Sequence, residues 1–317
     1  MGKPRWKHRI AVLVGSATLA IVAAFGFKAY LASAPTRSSA EGPGRNVDAS
    51  MADAINGFSM ALLRKTGSDS NNLVLSPFSV FMALAVVSES AGGQTRLEFG
   101  RLMRIGQIDH SFHERVGGIG RQMVDSVAGT SGQLNVANGL WISKLAQAAI
   151  SHEFTQTIRQ NYEAEIREMD VRQSPESASR EINDWVKTKT RGKIDELFSS
   201  GQINQATPIV VVNAIYFKCP WAIRFKPGFT SPDFFKRLDG SRIKVPMMRT
   251  SSDDYRYSEQ RGLQILELPY QRSAVSMIML LPRETDGLVE LEKSLTPSHM
   301  NSWLGKLAKH RGGVQVY

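Results

Sequence analysis

Hydrophobic and polar positions along this chain follow two periods, and one run is almost unbroken. Residues 209–217 hold a single strongly polar side chain, Asn213, among β-branched and aromatic residues. A half-exposed strand would alternate apolar with polar, so this pattern predicts a strand covered on both faces. At about 3.3 Å per residue the run spans roughly 30 Å and implies a large sheet. Residues 134–143 make a second strand candidate. Residues 264–268 and 274–281 read as neighbouring antiparallel strands, the second ended by Pro282, and Leu73, Val74 and Leu75 read as a short strand.

Helical spacing takes over elsewhere. Over 48–64 a stripe of Met51, Ile55, Phe58, Leu62 and Leu63 predicts an amphipathic helix. Ser76-Pro77 reads as an N-cap followed by proline at the first helical position. The helix it opens, 78–87, is apolar on every side and so should run through the middle of the fold. Ala91, Gly92 and Gly93 break it, and 95–103 predicts another helix. One more lies within 105–133. The spacing of Phe154, Ile158, Tyr162 and Ile166 predicts a helix over 153–169. Residues 179–197, with Ile182, Trp185 and Val186 on one side and Gly192-Lys193 dividing off a short last turn, and 289–307 complete the set. The last residues, 314–317, look like half a strand, which left alone would expose an unpaired edge. Helices gather early and strands follow without regular alternation, so the class is α+β rather than βαβ winding.

Composition changes this picture in three places. Residues 10–27 form an uncharged run of 18 behind Lys3, Arg5, Lys7, His8 and Arg9, long enough to cross a bilayer or to direct export. Residues 1–34 therefore read as a signal peptide, cut after Ala32-Ser33-Ala34, or as an uncleaved anchor. Lys28 and Pro35 fit cleavage poorly, but either way the remainder is exported: secreted, periplasmic or held at the membrane. Residues 35–47 are a Pro, Gly and Ser rich linker, and 48–317 make one domain. The formal charge of +10 falls to +5 once the five basic residues of 1–34 are set aside, with no basic run left to hold a nucleic acid. With Cys219 as the only cysteine, no disulfide can form within the chain.

Catalytic motifs are missing. There is no G-x-S-x-G, P-loop, H-E-x-x-H or dinucleotide fingerprint, and Cys219 has no basic neighbour to activate it. His110 and His113 share a spacing of three but lack further ligands, and read as a solvated helix face rather than a metal site. No cofactor is implied, and the chain is not expected to be an enzyme. What stands out is polar: Asn213 inside an apolar strand, and Ser76 with Ser79 at the start of an apolar helix. A buried amide must be matched. It is either an ordinary satisfied amide or a latch in a sheet that opens, and the two oddities make sense together if the hydroxyls and the amide hydrogen-bond to each other.

These residues resemble the serpin family in unbroken order. The matching segments are NLVLSPFSV at 72–80, AGGQTR at 91–96, LNVANG at 134–139, YEAEI at 162–166, INDWVK at 182–187, TRGKIDELF at 190–198, VVNAIYFK at 211–218 with Trp221, and VPMMR at 245–249. The resemblance implies helices packed on a large mixed central sheet with smaller sheets beside it. It implies a monomeric suicide-substrate inhibitor of serine, sometimes cysteine, proteases. In the family an exposed reactive loop is cleaved by the target and inserts as a new strand. By the same likeness Ser76, Ser79 and Asn213 fall on the shutter, where the sheet opens, and Trp221 on the breach at the end of its strand. Two departures stand out. Lys218-Cys219-Pro220 replaces the usual Lys-Gly before the breach Trp. The family pattern also runs on past residue 317, through the reactive loop with its P1 residue, a core hairpin and a histidine partner for the shutter. The chain as written is therefore expected to be truncated and not to trap proteases. The alternative is a non-inhibitory remnant that binds a partner.

Overall fold

A computed structural model describes residues 49–66, 73–237, 239–310 and 313–317. The leader 1–34, with its apolar run 10–27, and the linker 35–47 lie outside the described residues. Among those described, no helix is long and apolar enough to cross a membrane.

The first half alternates helices with three strands: α1 (Ala49–Thr66), α2 (Pro77–Ser88), α3 (Gly93–Leu102), α4 (Phe112–Asp125), β1 (Gln133–Ser143), α5 (His152–Tyr162), β2 (Glu165–Met169), α6 (Pro175–Lys189) and β3 (Ile209–Lys218). The second half is mostly short strands: β4 (Ser231–Lys236), β5 (Arg242–Met247), β6 (Thr250–Ser252), β7 (Arg256–Gln260), β8 (Leu263–Pro269) and β9 (Ser276–Pro282). Helices α7 (Leu288–Ser294) and α8 (Pro297–Gly305) and strands β10 (Ala308–Lys309) and β11 (Val314–Val316) close the chain. The architecture is α+β, as the pattern implied.

β1 lies between the other two long elements of a mixed sheet, parallel to β2 and antiparallel to β3. The two faces of this sheet bury different residues, because side chains alternate along a strand. Toward the helices α1, α2, α4 and α5, Leu140 and Ile142 join Phe58, Phe81, Phe112 and Ile158 in one core, with Ile209 and Val211 half-buried against it. Toward α6, Trp141, Val210, Val212 and Ala214 meet Ile182, Trp185 and Val186 in a second. Trp141 and Trp185 pack edge to face at 5.2 Å, and a Cβ on Gly139 would sit 2.4 Å from the Trp141 ring, so only glycine fits beneath the pair. A third core forms where β8 and β9 meet α7 and α8. Strand β3 is thus covered on both faces, though more completely on the α6 side.

Several expectations need correction. Leu73, Val74 and Leu75 pair with nothing regular and lead directly into α2. The helix read over 153–169 stops at Tyr162, where Glu163 takes a left-handed conformation (φ 51°) and closes it; Ile166 then lies on β2. The four-residue spacing of Ile166 was a coincidence of register. α6 ends at Lys189, where Arg191 and Gly192 both adopt positive φ, close to the division read at Gly192-Lys193, but no helical last turn follows it. Residues 289–307 form two helices, since Thr296 caps a new one with Pro297 at its first position. The final strand is not a free edge: β11 pairs antiparallel with β6.

Candidate functional site

The middle of β3 carries the polar group that the sequence singled out. Register places Asn213 opposite Asn138 of β1, and both side chains face the helix layer. Asn213 Nδ2 donates to Asn138 Oδ1 at 2.8 Å. Asn138, buried, donates in turn from Nδ2 to the main-chain carbonyl of Tyr162 at 2.8 Å. Asn213 Oδ1 is buried and has no hydrogen-bond partner among the described residues. Such an unmatched acceptor costs about 1–3 kcal/mol.

α2 packs across β3, and its start brings Ser76 and Ser79 together. Their hydroxyls lie 2.9 Å apart, and Ser76 Oγ accepts from the Ser79 amide at 3.4 Å as the helix cap. The hydroxyls do not hydrogen-bond to Asn213. The expected single cluster is two pairs: serine with serine at the helix start, and asparagine with asparagine in the sheet. Partner choice follows strand register, which the spacing of motifs does not reveal.

The amide line continues into the helices. The Tyr162 hydroxyl is 2.7 Å from His113 Nδ1, and His113 Nε2 lies 2.8 Å from the Glu89 carboxylate, an ion pair only when the ring is protonated. Arg96 stands 3.7 Å from the same carboxylate. His113 is therefore buried, against the solvated face its spacing with His110 suggested; His110 is exposed. Gly117, one turn on, lets α4 approach α5: a Cβ there would meet the Asn161 carbonyl at 1.9 Å. Arg121 donates to that carbonyl at 3.0 Å. Burial lowers the His113 pKa, with the Glu89 charge opposing, and burial pushes the Tyr162 hydroxyl well up. Sequence reasoning read His113 as solvated, placed Tyr162 only on a helix stripe and gave Asn138 no role; the one visible signal was Asn138 inside the strand-like LNVANG segment.

Trp221 sits elsewhere, at the far end of β3. It stacks on Tyr270 at 4.5 Å with rings 12° apart and forms an isolated bridge to it, while Phe217 meets the same Tyr270 edge on. Pro220 costs the junction nothing visible: its carbonyl accepts from Gln271 at 2.8 Å, and the Ala222 amide donates to Pro269. The cluster joins the end of the β1–β3 sheet to the β8–β9 hairpin. Burial raises the Cys219 thiol, the opposite of what a nucleophile needs, and burial with the neighbouring Cys219 lifts Tyr270 to about 12. Among the described residues no group of three His, Cys, Asp or Glu side chains is placed to hold a metal.

The family model described as Serpin (serine protease inhibitor) matches residues 53–317. Human Serpin B8 is 30% identical over 272 residues, covering 84% of this chain and 71% of that protein. Leukocyte elastase inhibitor of Xenopus tropicalis is 32% identical, covering 80% and 68%, and mouse antithrombin-III 28%, covering 78% and 53%. The chain thus spans roughly half to seven-tenths of these relatives. Reaction-loop-cleaved lamprey angiotensinogen superposes with a TM-score of 0.72 at 26% identity, covering 84% of this chain and 77% of that one. Emu ovalbumin, at 22% identity and a TM-score of 0.74, shares the fold.

Proposed function

The chain belongs to the serpin family, and from that premise we propose that its function is inhibition of a serine-type endopeptidase by strand addition. The observation that carries this reading is β3. Among the described residues it stands at the edge of the β2–β1–β3 sheet, with an incompletely satisfied amide at its centre. Main-chain pairing along such an edge is a strong driving force once an extended segment is delivered to it. Asn213, with Ser76 and Ser79 on the helix beneath, would hold the sheet in its starting arrangement, and Trp221 would fix the end of the strand. The target's own residues would cut the bond, so the chain would not itself be an enzyme. The partner is a serine protease, with cysteine proteases the lesser class. Residues 1–34 would export the domain 48–317, which would act as a monomer without nucleic acid or cofactor.

The test is incubation with a panel of serine proteases followed by a denaturing gel, on this polypeptide and on the protein purified from its natural source, whose intact mass is measured first. A covalent band from residues 1–317 supports inhibition. A band from a heavier natural form alone supports inhibition, and cleavage without a band from either rejects it. The same mass reports whether residues 1–34 remain.

A further inference from the structure

A buried histidine stands at one end of a polar line whose other end is the sheet amide. From Glu89 at the close of α2 the line runs to His113 in the first turn of α4, to the Tyr162 hydroxyl, and from the Tyr162 carbonyl through Asn138 to Asn213. It crosses two helix contacts and two strands, and every side chain between its ends is buried.

We propose that His113 is a positioning residue whose protonation is transmitted through Tyr162 and Asn138 to Asn213, so that acid loosens the amide pair at the centre of the sheet. The relay stands whether or not the chain traps a protease. With His113 neutral, we assign the ring proton to Nε2, facing the Glu89 carboxylate, which leaves Nδ1 to accept from the Tyr162 hydroxyl. Protonation turns Nδ1 into a donor. The Tyr162 oxygen must then accept, and its own proton has no second acceptor among the described residues. The ring has to shift. Tyr162 is the last residue of α5, directly before the left-handed Glu163, so its carbonyl shares the displacement. That carbonyl is the acceptor holding Asn138, and among the described residues Asn138 holds the only hydrogen bond of the Asn213 side chain.

The surroundings set how readily this occurs. Burial, the positive N-terminal end of α4 and the Arg96 guanidinium of α3 all resist a cation at His113. The Glu89 carboxylate favours it, and Tyr162 contributes a neutral hydroxyl; Glu114 and Arg115 lie next along α4 itself. The balance lowers the His113 pKa from the ordinary 6.5. Above that value both folded and unfolded chains carry a neutral ring. As the pH falls below it the unfolded chain takes up a proton that the folded chain resists, so stability drops until the folded value is passed and then levels off.

The experiment follows the side-chain amide signals of Asn138 and Asn213 in the isotope-labelled 317-residue protein, beside the His113 ring, from about pH 7.5 to about pH 5.5. All three are expected to move with one midpoint. Tyr162→Phe keeps the ring and the carbonyl but removes the hydroxyl; there His113 should titrate while both amides stay still. His113→Gln should abolish the step in the amide signals and the acid-dependent fall in unfolding midpoint. A residue that only fills space would lower the midpoint equally at every pH. Amides that stay still while His113 titrates in the wild-type protein, or that follow it unchanged in Tyr162→Phe, would overturn the proposal. Should a variant fail to fold, the wild-type titration alone decides.

Discussion

On the α6 side of the β1–β3 sheet, indoles and branched side chains interlock; Trp141 Nε1 donates to Glu181 at 3.0 Å, and Trp185 Nε1 is buried without a hydrogen-bond partner among the described residues. On the opposite side the same two strands turn Asn138 and Asn213 inward beneath α2 and connect them to a buried imidazole. One face gains its stability from non-directional contact, which tolerates no gap but asks for no alignment. The other depends on directional bonds and leaves one acceptor unmatched. The difference teaches that a strand can be anchored from one face and adjustable from the other, because successive residues answer to different neighbours.

That contrast can be broken at graded points. Trp141→Ala, at a fully buried position, should cost the most, about 3–5 kcal/mol in denaturant unfolding, by opening a cavity against Trp185. A loss under about 1 kcal/mol would mean that the α6 face is not the anchor. Asn138→Ala comes next, at about 2–3 kcal/mol in all, because it strands both the Tyr162 carbonyl and Asn213 Nδ2. Asn213→Ala strands only Asn138 Oδ1 and removes the unmatched Oδ1, so its cost should be about 1 kcal/mol or less. Equal losses from the two asparagines would show that the pair has no directionality.

The smallest effect belongs to the α6 rim. There Lys189, at 2.5 Å, and Arg167, at 2.8 Å, hold the Glu165 carboxyl down to about 2 from its ordinary 4.5. The folded carboxyl resists protonation, so its contribution is present above pH 4.5 and is lost as the pH falls toward about 2. Because these side chains are more than a third exposed and screened by solvent, Glu165→Gln should cost only about 0.5 kcal/mol near neutrality. Its acid unfolding curve should be flatter than the wild type's between those two values, and parallel curves would remove Glu165 from the account.

Most of the fold was legible because period and caps are local. The strand at 209–217, the Ser76-Pro77 start of α2 and the β8–β9 pair lie where their patterns placed them. The misreadings occurred where a tertiary neighbour outweighed a local signal: Ile166 kept helical spacing yet joined β1 as a parallel strand, and Pro297 divided one apolar run into two helices. Of the site, Ser76, Ser79 and Asn213 could be named from their oddness within apolar runs and Trp221 only from the family resemblance, and their true partners could not be read.

The sequence by itself determined the class, the elements and the fact that one amide would be buried in a long apolar strand, since hydrophobic period and capping act over a few residues. Tertiary structure alone decided which group that amide would meet. Asn138 lies 75 residues away and reaches it only through the antiparallel register of β1 with β3. The burial of His113 was decided in the same way, by the docking of α4 against α5 at Gly117 and of the α2 end against both. Hydrogen-bond partners are fixed by register and docking, which are properties of the whole chain.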